Sequence, residues 1–358
     1  MDAIVLVGGE GTRLRPLTYD IPKQMLPIVD RVLVEHVVSW LGRNGIGRAI
    51  LSLGYRPDAF IEAFPTGEID GVTLTYAVEP EPLGTAGAIR FAAECAGVEG
   101  RFLVLNGDVL TDFDGASLVC FHAEHEATAS IYLTPVDDPS TFGVVATDDT
   151  GRVIEFTEKP APGTAPTNLI NAGAYVLETS VLDRIPGDRA VSIERETFPA
   201  LAEAGLLFAV ASDAYWLDAG TPAKYLQAQL DILRGLRTST RPAAEEVTPG
   251  EFVAPGVVVH GSIAGVAYVG SGAVVETAAS LVDSILGAGA KVCAGARVER
   301  SAVLPGARVS EGCVVADSIV GPGAVLGAGA RLRKFTVVRG GVEVPAGAEL
   351  IADRYPTP

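Results

Sequence analysis

The amino-acid sequence predicts an α/β domain with a Rossmann-like, mostly parallel sheet, followed by a parallel β-helix of hexapeptide repeats. Three observations carry this. From residue 1 to about 230, apolar strand-like runs alternate with amphipathic helical stretches, the pattern of βαβ units. A polar stretch with two prolines, Gly235–Gly250, interrupts that alternation and reads as a linker. Beyond it, three consecutive 17-residue copies hold their aliphatic residues in register. A length of 358 residues suits two domains, here 1–234 and 251–358 joined by the linker 235–250.

In chain order, the candidate strands of the first domain are Ala3–Val7, Ala49–Leu53, Leu74–Val78, Phe102–Leu105 and Ala129–Thr134. The helical stretches between them are Val34–Arg43, Pro57–Phe64 and Thr85–Cys95. In the second domain the copies are Asp283–Glu299, Arg300–Ala316 and Asp317–Arg333. Their apolar positions superpose as Leu286/Val303/Val320, Val292/Val309/Leu326 and Val298/Val315/Leu332, with glycines at 289/306/323 and 295/312/329. A weaker copy precedes them, with Val269, Gly272, Val275 and Leu281 at the equivalent places. Aliphatics six apart, with one five-residue step, suit short strands on three flat faces whose inward side chains stack coil on coil. A flexible glycine-rich tail would keep no such register.

Charge excludes one class of partner. With 27 basic against 44 acidic residues the net charge is −17, which argues against nucleic-acid binding, since phosphate neutralisation needs clustered cations. No apolar run is long enough for a bilayer, and the N-terminus lacks the pattern of a signal peptide. The expectation is a soluble, cytoplasmic protein. Cys95, Cys120, Cys293 and Cys313 show no CxxC spacing, so buried thiols are expected rather than disulfides or zinc. Only five of the 27 basic residues are lysines: Lys23, Lys159, Lys224, Lys291 and Lys334.

The chemistry begins at Gly8-Gly9-Glu10-Gly11-Thr12-Arg13, directly after the first strand. Glycines let backbone N–H groups approach phosphate oxygens, and Arg13 offers a fork for a polyphosphate. The loop is not a Walker A motif, because no Gly-Lys-Ser/Thr ends it. Nor is it a dinucleotide fingerprint, because Leu14 stands where the third glycine belongs. It is followed by Pro22-Lys23-Gln24-Met25-Leu26-Pro27.

With these two motifs the chain resembles the sugar-1-phosphate nucleotidyltransferases, whose hallmark is GGxGTRLxPLT followed by PKxMLP. The resemblance continues through Glu79–Gly87, Asn106-Gly107-Asp108, Glu158-Lys159-Pro160, Asn171-Ala172-Gly173 and Trp216–Gly220, and is nearest to mannose-1-phosphate guanylyltransferases. It also implies that the β-helix is left-handed, an exception to the usual crossover rule.

The resemblance implies in-line attack by a sugar phosphate oxygen on the α-phosphorus of an NTP, with pyrophosphate leaving. Such a reaction needs positioning and charge neutralisation rather than a protein nucleophile. Carried over position by position, Leu6, Gly8, Gly9, Gly11, Thr12, Glu79, Gly84 and Thr85 would bind the nucleotide. Arg13 would draw charge from the departing pyrophosphate, and Lys23 would bind phosphate at the reacting centre. Asp108 and Asp218 would hold Mg²⁺, a hard ion suited to carboxylates. Gly143, Glu158, Lys159, Asn171 and Gly173 would bind the sugar phosphate.

Relatives that use pyrimidine nucleotides carry Gln where this chain has Glu79. A carboxylate only accepts, matching the adjacent N1–H and N2 donors of guanine, so GTP is the expected nucleotide; the resemblance implies mannose-1-phosphate as the sugar, and with it GDP-mannose as the product. A glucose-1-phosphate thymidylyltransferase, or a guanylyltransferase for another sugar or cyclitol phosphate, is the alternative. The chain departs from the family at Val29-Asp30-Arg31-Val32, where relatives often have a Gly-Lys-Pro-like turn. The β-helix is expected to serve assembly into a homo-oligomer. A hexapeptide acyltransferase would need a histidine base, and only His260 of the four histidines lies in the repeat region, ahead of the regular coils. A catalytically inactive homologue is disfavoured by the retention of Arg13, Lys23, Asp108 and Asp218.

Overall fold

The structure, a computed structural model, describes residues 1–356. The chain forms two compact units: Met1–Gly9 with Val37–Trp216, and Glu10–His36 with the chain from Leu217 onward. Among the described residues no helix is long and apolar enough to cross a membrane.

In the first unit, β1 (Asp2–Leu6) lies at the middle of a sheet. It pairs in parallel with β2 (Arg48–Leu53) on one side. Beyond β2 runs β3 (Val72–Val78), also parallel. The other neighbour of β1 is β4 (Arg101–Asn106), again parallel. The spatial order 3-2-1-4 therefore reverses between β1 and β4. Their carboxyl ends, Leu6 and Asn106, stand in register, and an open α/β sheet binds its ligand at such a reversal. The helices Asp58–Ala63 and Gly84–Ala96 occur where the amphipathic pattern predicts them, within two residues. Ile89, Ala92 and Ala93 of the latter pack on Ile4, Ile50 and Phe102 in the core.

Beyond this parallel core the sheet also takes in antiparallel strands. β5 (Ala129–Pro135), β6 (Gly143–Thr147), β7 (Val153–Glu158) and β8 (Leu169–Glu178) join the same sheet, which also takes in the short strands Glu68–Ile69 and Leu207–Ala211. β8 pairs antiparallel with β4, β5 and β6, and β6 with β7. Short links such as that between Thr147 and Val153 leave no room for a crossover helix, so the strands must fold back as hairpins. The cysteines also divide: Cys293 and Cys313 are buried, but Cys95 and Cys120 are exposed on the outer faces of their helices.

In the second unit the C-terminal coils form a parallel β-helix, of the left-handed class the sequence led us to expect. Val275, Val292, Val309, Leu326 and Val344 stack in register on one face. Leu281, Val298, Val315, Leu332 and Leu350 stack on another. Val269, Leu286, Val303, Val320 and Val338 fill the third. All but Leu350 are essentially inaccessible. At one corner Ser284, Ser301 and Ser318 form a buried ladder, each hydroxyl accepting the N–H of the next at 3.0 Å. The period lengthens after Arg331, which pairs with Glu349 eighteen residues on. The added residue is absorbed at Lys334 and Phe335, both in the left-handed region.

The expected linker is structured. Glu245–Thr248 pairs antiparallel with Glu251–Val253, Arg237 is buried, and the Ala243 N–H donates to Asp30 at 2.6 Å. Polar composition marked a break in periodicity, yet its backbone finds partners as any ordered chain must. The departure at Val29–Val32 is a hairpin whose turn places Val29 at a φ of 62°. A β-branched residue rarely adopts this conformation. Here its N–H donates to Gln229 on the helix Pro222–Leu233 and the Tyr225 hydroxyl donates to the Pro27 carbonyl, so the turn is held without the glycine of relatives.

Candidate active site

At the sheet reversal the first unit gathers its motif residues. β1 ends at Leu6, and Gly8 follows so closely packed that a methyl on it would lie 3.3 Å from both Glu79 Oε1 and the Gly54 nitrogen. Gly9 faces open space. Half-buried Glu79 accepts the Ser52 hydroxyl at 3.1 Å through one oxygen and the Leu83 N–H at 3.1 Å through the other. The carboxylate is thereby fixed beside the glycine turn. Gly107 is wedged: a methyl would lie 2.5 Å from Val7 Cγ1 and 2.8 Å from the Leu6 carbonyl. That packing sets Asp108, half-buried, at the carboxyl end of β4.

Gly84, with φ of 73°, lies against the Val191 carbonyl, where a methyl would approach to 2.5 Å. The Thr85 hydroxyl donates to Glu194 at 2.8 Å and accepts the Ile193 N–H at 2.8 Å. Its proton is thus committed to the 191–194 segment, so its contribution is to shape the loop.

The expected sugar-side residues also converge within this unit. Gly143 and Glu158 face each other across β6 and β7, and a methyl on Gly143 would lie 2.9 Å from Glu158 Oε2. Lys159 holds a left-handed φ and carries its ammonium 3.4 Å from Glu158. Asn171 donates to the Tyr175 hydroxyl at 2.9 Å and accepts the Gly173 N–H at 2.9 Å, across a break in the register of β8. Gly173, with φ of 74°, leaves space for Asn106, whose amide would meet a methyl there at 2.6 Å. The Ala172 carbonyl accepts the Trp216 indole at 2.8 Å. Three motifs are therefore locked together. Burial, then the nearby charge of Glu194, pushes the Tyr175 hydroxyl well above its ordinary range, so it stays protonated beneath Asn171.

The second unit holds the rest. Gly11, with φ of 63°, packs where a methyl would touch Lys23 Cβ and Thr18 Cγ2 at 3.0 Å. Thr12–Leu14 forms a short turn that presents Arg13 to solvent. Pro22 fixes the start of the next turn, Lys23–Met25. Arg13 Nη2 lies 3.5 Å from Asp218, whose other oxygen accepts the Gly220 N–H at 2.8 Å. A methyl on Gly220 would stand 2.5 Å from that guanidinium, so glycine makes room for the pair. Asp108 and Asp218 thus belong to different units, and Asp218 has a cationic neighbour that the sequence reading did not anticipate.

Residues 2–235 match the family model for nucleotidyl transferases, and residues 263–353 match one described as the GMPPB C-terminal domain. The chain belongs to the nucleotidyl transferase family. It is 39% identical to the mannose-1-phosphate guanylyltransferase of Mycobacterium tuberculosis, covering 84% of this chain and 83% of that protein. A probable mannose-1-phosphate guanylyltransferase 3 of Oryza sativa subsp. japonica is 36% identical over 86% and 82%. Among solved structures, HddC from Yersinia pseudotuberculosis complexed with GMP-PN aligns with a TM-score of 0.55 and 31% identity, over 64% of this chain and 97% of that one. The membership accounts for the enzyme class that the ordered motifs led us to expect.

Sequence reasoning missed Ser52, Tyr175 and Glu194, which orient motif residues from outside the motifs. Their roles depend on strand pairing and burial, and no local spacing announces them.

Proposed function

We propose that this chain transfers a guanylyl group from GTP to mannose-1-phosphate, forming GDP-mannose and pyrophosphate. The observation that carries this reading is the Glu79 carboxylate held against the Gly8 turn at the sheet reversal. Each Glu79 oxygen has one internal donor and a lone pair to spare, which suits the two adjacent donors of guanine. Mannose-1-phosphate comes from the names of the relatives.

The glycine turn supplies backbone N–H groups to the triphosphate. A phosphate oxygen of the sugar attacks the α-phosphorus, the new P–O bond forms, and the α–β bridging bond breaks toward pyrophosphate. Arg13 and Lys23 neutralise charge on the phosphates, while Lys159 meets the sugar phosphate and Glu158 and Asn171 take its hydroxyls. Asp108 and Asp218 offer oxygen donors of the kind Mg²⁺ prefers, and the bound ion would supply further neutralisation of the triphosphate. The reading retains 1–234 as the catalytic domain, 235–250 as connector and 251–358 as β-helix. It also retains assembly into a homo-oligomer through that domain, and a cytoplasmic location.

Pyrophosphate release measured over a matrix of NTPs and sugar-1-phosphates tests the proposal. GTP with mannose-1-phosphate is expected to dominate. A maximum at dTTP with glucose-1-phosphate would replace it with the thymidylyltransferase reading.

A further inference from the structure

We propose that Arg339, in the β-helix, is a positioning residue for nucleotidyl transfer: it grips Tyr19–Asp20 and so sets the loop carrying Arg13 and Lys23. The inference rests on the reading that those two residues act on the phosphates.

The loop from Gly11 to Met25 has no long element of its own. It consists of three short turns, Thr12–Leu14, Leu17–Tyr19 and Lys23–Met25. Leu14, Leu17 and Thr18 are buried and anchor its inner side. The Thr18 hydroxyl donates to the Gly11 carbonyl at 2.9 Å, and Gly11 packs on Lys23. A shift at residues 18–20 is therefore felt at both ends of the loop.

Its outer side is held by the β-helix. Arg339 donates from Nε and Nη2 to the two oxygens of Asp20, each at 2.7 Å. The Tyr19 ring lies 5.2 Å from the Arg15 guanidinium carbon and 5.6 Å from that of Arg339, and Arg15 in turn donates to Glu10 at 2.5 Å. Arg339 is itself fixed. Its N–H donates to the Tyr355 carbonyl at 2.8 Å, and Val337–Val338 just before it pairs with coils on both sides.

An ordinary exposed ion pair adds little to stability. This one differs in being bidentate, stacked on an aromatic ring and joined to a rigid lattice. It also acts on a loop whose own backbone elements are three turns of three residues each. The expected consequence is in catalysis, since an ångström of misplacement in a positioning group costs up to about a hundred-fold in rate.

The test uses the full chain with Mg²⁺, GTP and mannose-1-phosphate. Arg339→Met keeps an apolar stem over Tyr19 and removes the fork. It is expected to lower kcat/KM for GTP about ten-fold, with KM for the sugar phosphate unchanged within about two-fold. Arg339→Lys should recover part of the loss, because an ammonium pairs without the bidentate fit. Amide exchange should quicken across residues 15–22 and not in the coils from 319 to 355. Full activity in Arg339→Met, or quickened exchange spread through those coils, overturns the proposal. Arg13→Ala and Lys23→Ala, assayed in parallel, separate the two ideas. Activity retained in them sinks the phosphate reading, whereas their loss beside a fully active Arg339→Met sinks the positioning role alone.

Discussion

Replacing Glu79 with Gln changes one oxygen to an NH₂ and leaves the shape almost intact. In the native arrangement each carboxylate oxygen already accepts one bond, from Ser52 at 3.1 Å and from Leu83 N–H at 3.1 Å. The amide oxygen is held by Leu83, whose N–H can only donate, so the NH₂ falls to the Ser52 side. The hydroxyl of Ser52 can reverse and accept, so the fold loses little. Guanine, however, then meets a donor where it requires an acceptor. The loss is one hydrogen bond to a charged group, about 1.5–3 kcal/mol, or roughly ten- to a hundred-fold in kcat/KM for GTP. The same amide matches the donor and acceptor edge of thymine, so the preference for GTP over dTTP should shrink by at least that factor. Single-turnover assays with the two nucleotides measure it. An unchanged preference in a folded Glu79→Gln protein would refute the base-reading argument.

Gly107→Ala drives a methyl to 2.5 Å from Val7 Cγ1 and 2.8 Å from the Leu6 carbonyl. Backbone cannot yield there, so destabilisation of about 1–3 kcal/mol is expected, read as a lower thermal midpoint. Asp108→Asn and Asp218→Asn should each cut pyrophosphate release by on the order of a hundred-fold or more, without a comparable fall in melting temperature. His122 is buried, with Nε2 3.2 Å from Glu178 and Nδ1 2.9 Å from Ser130. Burial lowers its pKa despite the opposing pull of Glu178. The unfolded chain therefore binds the proton more readily, and the neutral ring's contribution is present above the ordinary histidine range near 6.5 and lost as pH falls below it. Denaturant melts of wild type and His122→Asn between pH 5 and 8 should show the difference between them narrowing toward the acid end; a constant difference would contradict the sign.

The β-helix was legible almost residue by residue. Stacking demands an aliphatic at each inward position, so Leu286, Val303 and Val320 announce their own register. The central parallel strands were legible for a similar reason, because apolar runs separated by amphipathic helices leave few alternatives. The antiparallel half was less so. β6, β7 and β8 alternate weakly, and their pairing rests on partners distant in sequence. Lys334–Phe335 shows the same limit in the β-helix: an extra residue breaks the period, and only the backbone shows it absorbed in two left-handed residues.

Sequence by itself singled out the candidate site residues, because Gly8–Arg13, Lys23, Asp108 and Asp218 sit in short ordered motifs to which the resemblance to sugar-1-phosphate nucleotidyltransferases gives roles. Tertiary structure decided how those residues are held. Glu79 is aimed by Ser52 and Leu83, Asn171 by Tyr175, Asp218 is paired with Arg13, and Asp20 is gripped by Arg339 from 319 residues away. These are long-range contacts of single side chains, and a one-dimensional pattern records spacing along the chain but not which atoms meet when it closes. The same reason explains the division of the molecule. Composition placed a boundary near residue 240, whereas packing joins Glu10–His36 to the chain beyond Leu217, because hydrogen bonds from Val29 to Gln229 and from Tyr225 to Pro27 bind segments that no motif connects.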